Sequence, residues 1–170
     1  MTIFLCGFMG CGKTTAGRLA AKKLGYAYFD TDELIVQKTD MTIPEIFSKK
    51  GEPFFRQIEA EIVVSLCEKN AVVSCGGGAM LNSNSAMTAL KNDCVVFLDV
   101  PFEVCYNRIE NDTNRPIASS STKDELHKRY LQRYDVYMNN SNIQIDCSGT
   151  PTENADLIIS AVKRGNYANL

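Results

Sequence analysis

Gly7, Gly10, Gly12, Lys13 and Thr14 fall in the order G-x-x-x-x-G-K-[ST], a spacing suited to holding an anion. Glycines let the backbone curl until successive N–H groups face one point. A helix starting at Lys13 would add the positive end of its dipole. Lys13 can neutralise charge on β- and γ-phosphates, and the Thr14 hydroxyl can ligate Mg²⁺. The chemistry implied is the binding of a nucleoside triphosphate. A switch GTPase would also need a guanine-reading N-K-x-D, and Asn-Lys occurs nowhere in the chain. That points toward a small kinase.

Three further groups could serve an acceptor. Phe29-Asp30-Thr31-Asp32 sets two carboxylates at the end of a strand pattern, the edge where open α/β sheets bind ligands. One can hold Mg²⁺ through water while the other orients a hydroxyl and takes its proton. Asp32 could equally be a helix N-cap before Glu33-Leu34-Ile35. Arg56 opens an otherwise apolar helical stripe, and Glu59 three positions on can fix its guanidinium. A guanidinium held in this way suits a carboxylate, because its fork is planar and bidentate. Gly76-Gly77-Gly78 follows a strand pattern and would let a ligand approach bare backbone. Arg115-Pro116 lies in a polar stretch, Asn111 to Thr122, where a mobile lid could bring an arginine to the γ-phosphate. Arg133 ends a basic helical pattern with Lys128 and Arg129, beside Tyr134 and Tyr137.

Alternating strand and helix patterns must position these groups. Ile3–Cys6, Tyr26–Phe29, Ala71–Ser74, Cys94–Leu98 and Ile143–Ile145 read as strands. Lys13–Leu24 reads as a helix stopped by Gly25, and Thr42-Ile43-Pro44-Glu45 as a capping box. A longer helix is predicted to open at Pro53, with Phe54, Ile58, Ile62 and Leu66 as its stripe. Ala86–Leu90, Phe102–Ile109, Lys123–Tyr137 and Glu153–Val162 complete the helices. The alternation implies an α/β fold, a parallel sheet with helices on both faces.

The chain has 170 residues, most simply one domain. Its net charge of -2 and pI of about 5.5 argue against a nucleic-acid partner. No apolar run is long enough for a membrane span, and the uncharged N-terminal run is too short for a signal peptide, so a cytoplasmic location is expected. Seven scattered cysteines without a C-x-x-C read as reduced core thiols rather than zinc ligands. Cys11, inside the glycine loop, reads mainly as small filling, although a helix N-terminus would favour its thiolate. The absence of an obvious heptad suggests a monomer.

Taken together, the order and spacing of these motifs resemble the shikimate kinase family, from Ile3 to about Val162. The matches are Gly7, Gly10, Gly12, Lys13 and Thr14 for G-x-x-G-x-G-K-[ST], and Asp30 and Asp32 for D-x-D. Phe55, Arg56 and Glu59 match F-R-x-x-E, and Gly76–Gly78 match the glycine triplet. Arg115-Pro116-Ile117 stands for the lid R-P-L, Arg108 for an upstream arginine, and Arg133 with Tyr137 for R-x-P-L-Y. The resemblance implies a three-layer α/β/α fold of the P-loop NTP hydrolase type, with a five-stranded parallel sheet. It implies one domain, with a lid at about 111–122 and a substrate-binding region at about 32–60. The implied activity is transfer of the ATP γ-phosphate to the 3-hydroxyl of shikimate, with Mg²⁺.

By the same resemblance Asp32 is the base, with Lys13 and Arg115 also catalytic. Gly10, Cys11, Gly12, Lys13, Thr14, Thr15, Arg108 and Arg115 hold ATP. Asp32, Arg56, Gly76, Gly77, Gly78 and Arg133 hold shikimate, and Thr14 and Asp30 serve the metal. Arg108 and the segment near Asp146-Cys147-Ser148 would flank the adenine. Three positions depart from the family: Cys75 where Thr is common, Asp135 for Pro, and Ile117 for Leu. Asp135 would weaken the field of Arg133, and Arg129 is the substitute. Alternative readings are a gluconate or nucleoside-monophosphate kinase, or a regulatory protein that keeps the glycine loop without the chemistry.

Overall fold

Thr2–Cys6 (β1) is buried at every residue, and a strand apolar on both faces belongs in the middle of a covered parallel sheet. The computed structural model, which describes residues 1–110 and 121–165, places it there. Ala71–Ser74 (β3) flanks β1 on one side and Cys94–Asp99 (β4) on the other. Ala27–Asp30 (β2) and Ile143–Asp146 (β5) are the outer strands, giving the order β2-β3-β1-β4-β5, parallel throughout. The outer strands are only partly buried, as an edge position permits.

The period-two alternation of the strands feeds two cores. Ile3 and Leu5 of β1 with Val96 and Leu98 of β4 face one side. They pack against Lys13–Leu24 (α1), Phe102–Ile109 (α6) and the last helix, Pro151–Arg164 (α8). Phe4, Cys6, Val73, Val95 and Phe97 face the other. There they meet Thr31–Thr39 (α2), Ile43–Lys49 (α3), Gly51–Ser65 (α4) and Ser83–Asn92 (α5). Lys123–Asn139 (α7) contributes to both cores, with Leu126 in the first and Tyr137 in the second. The result is a three-layer α/β/α sandwich.

Local signals explain most boundaries. Thr42, Thr122 and Thr150 each form a complete capping box with the Glu three residues on. Gly25 ends α1 in the left-handed conformation, φ 68°. Helices α2 and α4 bear on the site and differ from the sequence patterning. Helix α2 is not signalled by it, because only Thr31 and Ile35 of that helix are buried and the apolar period is too short to register. Helix α4 opens at Gly51, two residues before Pro53; Ile58, Ile62 and, just past its end, Leu66 of the predicted stripe are buried, and Phe55 takes the place of Phe54. Its buried residues are Phe55, Ile58, Glu59, Ile62 and Val63, with Phe54 at the margin.

All seven cysteines are free thiols. Burial pushes Cys6, Cys94, Cys105 and Cys147 up to about 12. Cys75 is raised well above its ordinary value by the same desolvation. Among the described residues, no helix is long and apolar enough to cross a membrane.

Candidate active site

The carboxyl ends of β1, β2 and β3 lie side by side, and each carries one of the groups singled out from the sequence. After β1 the glycine loop runs into α1. Gly10 takes φ +83°, and a Cβ there would sit 2.6 Å from the Cys105 carbonyl. Only glycine fits both the dihedral and the space. The Lys13 Nζ donates to the Gly7 carbonyl at 2.9 Å and the Phe8 carbonyl at 3.1 Å, which ties its ammonium to the loop. It also reaches Cys11 Sγ at 3.5 Å, and Cys11 is buried, as a small filler would be. Arg108, at the end of α6, donates to the Gly10 carbonyl at 3.0 Å, so the loop has a second cation at its mouth. Thr15 lies exposed in the first turn of α1.

After β2 the two aspartates divide. Asp30 is the N-cap of α2, its Oδ1 accepting the Asp32 N–H at 3.0 Å. The cap role that is the alternative reading of Asp32 therefore belongs to Asp30, because α2 starts at Thr31, directly after the last residue of β2. The other Asp30 oxygen accepts the Thr14 hydroxyl at 3.3 Å. A hydroxyl and a carboxylate are hard oxygen donors of the kind Mg²⁺ takes. Among the described residues no group of three or more His, Cys, Asp or Glu could hold a metal. A pair completed by phosphates and water fits Mg²⁺, which seldom uses an all-protein cage.

After β3 the glycine turn is the meeting point of the remaining residues. A Cβ at Gly76 would lie 2.5 Å from Asp32 Oδ1 and 3.1 Å from Glu59 Oε1. A Cβ at Gly78 would fall on the Arg56 guanidinium. Arg133 donates to the Gly77 carbonyl at 3.1 Å. Asp32, Arg56 and Arg133 thus converge on one turn, although 101 positions separate the first from the last in the chain. Arg133 is the arginine on the turn; Arg129 lies one turn back along α7, where its charge acts on Glu125. Asp135 is exposed. Arg115, with Pro116 and Ile117, lies outside the described residues.

Arg56 is held as its spacing predicts. Its Nη1 donates to Glu59 Oε2 at 2.7 Å, and Glu52 accepts from the other side at 3.0 Å. Glu59 itself is 2 % exposed, and its second oxygen, Oε1, is buried without a hydrogen-bond partner. Burial raises the Glu59 pKa; Arg56 opposes that, and the Asp32 charge adds to it. The sequence reading uses Glu59 only as a clamp for Arg56. The structure adds a buried carboxylate facing Asp32 across Gly76.

Thr31 and Tyr137 also gain roles unseen in the sequence. The buried Thr31 hydroxyl accepts the Gly76 N–H at 2.7 Å, and Tyr137 donates to the Gly77 carbonyl at 2.7 Å. The position of Thr31 between the two aspartates, and of Tyr137 one helical turn after Arg133, were the available signals. Gly76→Ala is expected to lose about 1–2 kcal/mol of stability in urea unfolding, the scale of overpacking a filled site. The added methyl must displace Asp32, and Glu59 cannot yield without loosening its bond to Arg56.

A profile of the shikimate kinase family matches residues 9–163. A shikimate kinase of Bacillus pumilus is 41% identical over 167 residues, covering 96% of this chain and 90% of that protein. A shikimate kinase from Acinetobacter baumannii, solved in complex with shikimate, superposes with a TM-score of 0.90 at 32% identity, covering 98% of this chain and 95% of that one. A gluconokinase from Sinorhizobium meliloti, 16% identical with a TM-score of 0.57, shares the fold alone.

Proposed function

The chain belongs to the shikimate kinase family, and on that premise we propose that it transfers the γ-phosphate of ATP to the 3-hydroxyl of shikimate. One observation carries the assignment of residues. Asp32, Arg56 and Arg133 converge on the glycine turn beside a phosphate-binding loop. Shikimate is a polyol carboxylate, and two guanidinium groups and one carboxylate are what such an acceptor demands.

Arg56 and Arg133 bind the substrate carboxylate and the backbone of Gly76–Gly78 receives the ring, which leaves a ring hydroxyl toward Asp32. Asp32 accepts the hydroxyl proton as the oxygen attacks. A bond forms from that oxygen to the γ-phosphorus, and the bond from phosphorus to the ADP oxygen breaks. Lys13, Arg108 and Arg115 carry the phosphate charge, and the loop amides of Gly10, Cys11, Gly12, Thr14 and Thr15 hold the triphosphate. Thr14 and Asp30 would hold Mg²⁺, which would supply positive charge to the phosphates. Most of the catalysis is positioning and charge stabilisation, so the groups that hold Arg56, Arg133 and the glycine turn in place matter as much as the base.

The sequence reading of one kinase domain puts the substrate-binding region at about 32–60 and a lid at about 111–122, of which 111–120 lie outside the described residues. The enzyme works in the cytoplasm as a monomer, with two small-molecule substrates; its free thiols suit a reducing compartment. A coupled ADP-release assay with Mg-ATP, comparing shikimate, gluconate and nucleoside monophosphates, tests the reading. Turnover is expected with shikimate alone and is expected to stop on chelation of Mg²⁺. Turnover with another acceptor would keep the phosphate loop and overturn the acceptor site. ATP binding without turnover on any of them would favour a regulatory protein.

A further inference from the structure

The carbonyl of Gly77 has two donors from one helix. Tyr137 Oη approaches it at 2.7 Å, and Arg133 Nη1, one turn earlier on α7, at 3.1 Å. The tyrosine is 2 % exposed, with its ring packed on Phe97 at 5.5 Å between centroids. Its hydroxyl is the single polar atom of a core side chain, and it emerges at the glycine turn. Burial raises its pKa, so it is a neutral donor at physiological pH. The turn is pinned on both sides of this point. Thr31 accepts the Gly76 N–H at 2.7 Å, and Asn140 donates to the Met80 carbonyl at 2.8 Å.

The Gly77 carbonyl is partly buried, and a carbonyl withdrawn from water is costly to leave unpaired. With Tyr137 in place, the shorter bond satisfies Gly77 and the longer one from Arg133 is dispensable. Without that hydroxyl, Arg133 is the donor left to Gly77, and a guanidinium committed to a carbonyl is less available to a carboxylate. We propose that Tyr137 is a positioning residue of the substrate site: its hydroxyl holds the Gly77 carbonyl so that the Arg133 guanidinium is free to turn to the substrate carboxylate. The inference rests on the reading of Arg133 given above, and deepens it.

Tyr137→Phe keeps the ring and deletes only the donor. The expected result is a rise of about tenfold in the KM for shikimate, close to 1.4 kcal/mol and the size of a hydrogen bond to a charged group. The KM for ATP is expected to stay within about twofold. Tyr134→Phe is the control, because that hydroxyl, on the same helix, bonds Asp99 at 2.8 Å instead of the turn. It is expected to leave both KM values unchanged. Equal KM values for shikimate in wild type and Tyr137→Phe would overturn the proposal, as would a parallel loss in both variants. Amide exchange gives a second arm without turnover. Exchange at Gly77–Ala79 is expected to quicken in Tyr137→Phe while Val72 and Val73 stay protected; uniform quickening would mean a packing role only. Wild-type turnover on shikimate, measured first, separates failure of this proposal from failure of the substrate assignment.

Discussion

Asp32→Asn is expected to bind ATP within about twofold of the wild type and to turn over at least about 10²-fold more slowly, the scale of a lost general base. The substitution is isosteric, so the crowding at Gly76, where a Cβ would lie 2.5 Å from Asp32 Oδ1, is preserved. The Asp32 backbone N–H stays capped by Asp30 at 3.0 Å, so the start of α2 is not disturbed. Lys13 and Arg108 keep their bonds to the loop carbonyls, which the substitution does not touch. On the proposed mechanism, what changes is the acceptor for the hydroxyl proton. An amide can still orient the hydroxyl but cannot take its proton, so kcat falls while nucleotide titration is unmoved. Equal turnover would remove Asp32 from the mechanism. A loss of ATP binding of similar size would mean that the residue supports the loop.

That prediction was reachable from the sequence because the aspartates, the glycine loop and the glycine triplet are each local patterns at strand ends. β3 and α6 occur with the bounds their patterns give, since each has a sharp break on both sides. The glycine loop needs no tertiary information, because its dihedrals are written in its glycines. What tertiary packing decides was not legible. Glu59 reads in the sequence only as a clamp for Arg56, yet α4 packs so that Glu59 is buried and Phe54 lies at the margin. The choice of Arg133 over Arg129 depends on how α7 crosses the end of β3, and two basic residues a turn apart look alike in a sequence. The hydroxyls of Thr31 and Tyr137 matter through one carbonyl and one N–H of a turn distant in the chain.

Glu59 is where that hidden packing has its largest energetic consequence. Arg56→Ala is expected to cost about 3 kcal/mol of stability near pH 8, beyond its effect on the acceptor site, because it strands a buried carboxylate. The lower end of the usual range applies, since the Arg56 side chain is 30% exposed while that of Glu59 is 2% exposed. The loss should depend on pH, with a definite sign. In the wild type burial already raises the Glu59 pKa, and Arg56 restrains the rise through a hydrogen bond and its charge. Removing Arg56 lifts that restraint, so the folded-state pKa climbs further above the unfolded value of about 4.3. Between those two values the folded chain binds a proton that the unfolded chain has lost. Stability is therefore intact below the unfolded pKa and falls as pH rises through the folded one. The gap between wild type and Arg56→Ala should be small near about pH 5 and wide near about pH 8, read from urea unfolding at both. Glu59→Leu combined with Arg56→Met should recover most of the stability, because a well-packed apolar pair often replaces a buried ion pair without loss. The same double variant should stay inactive, with no guanidinium for the carboxylate at that position. A gap independent of pH would show that Glu59 is not the group left stranded.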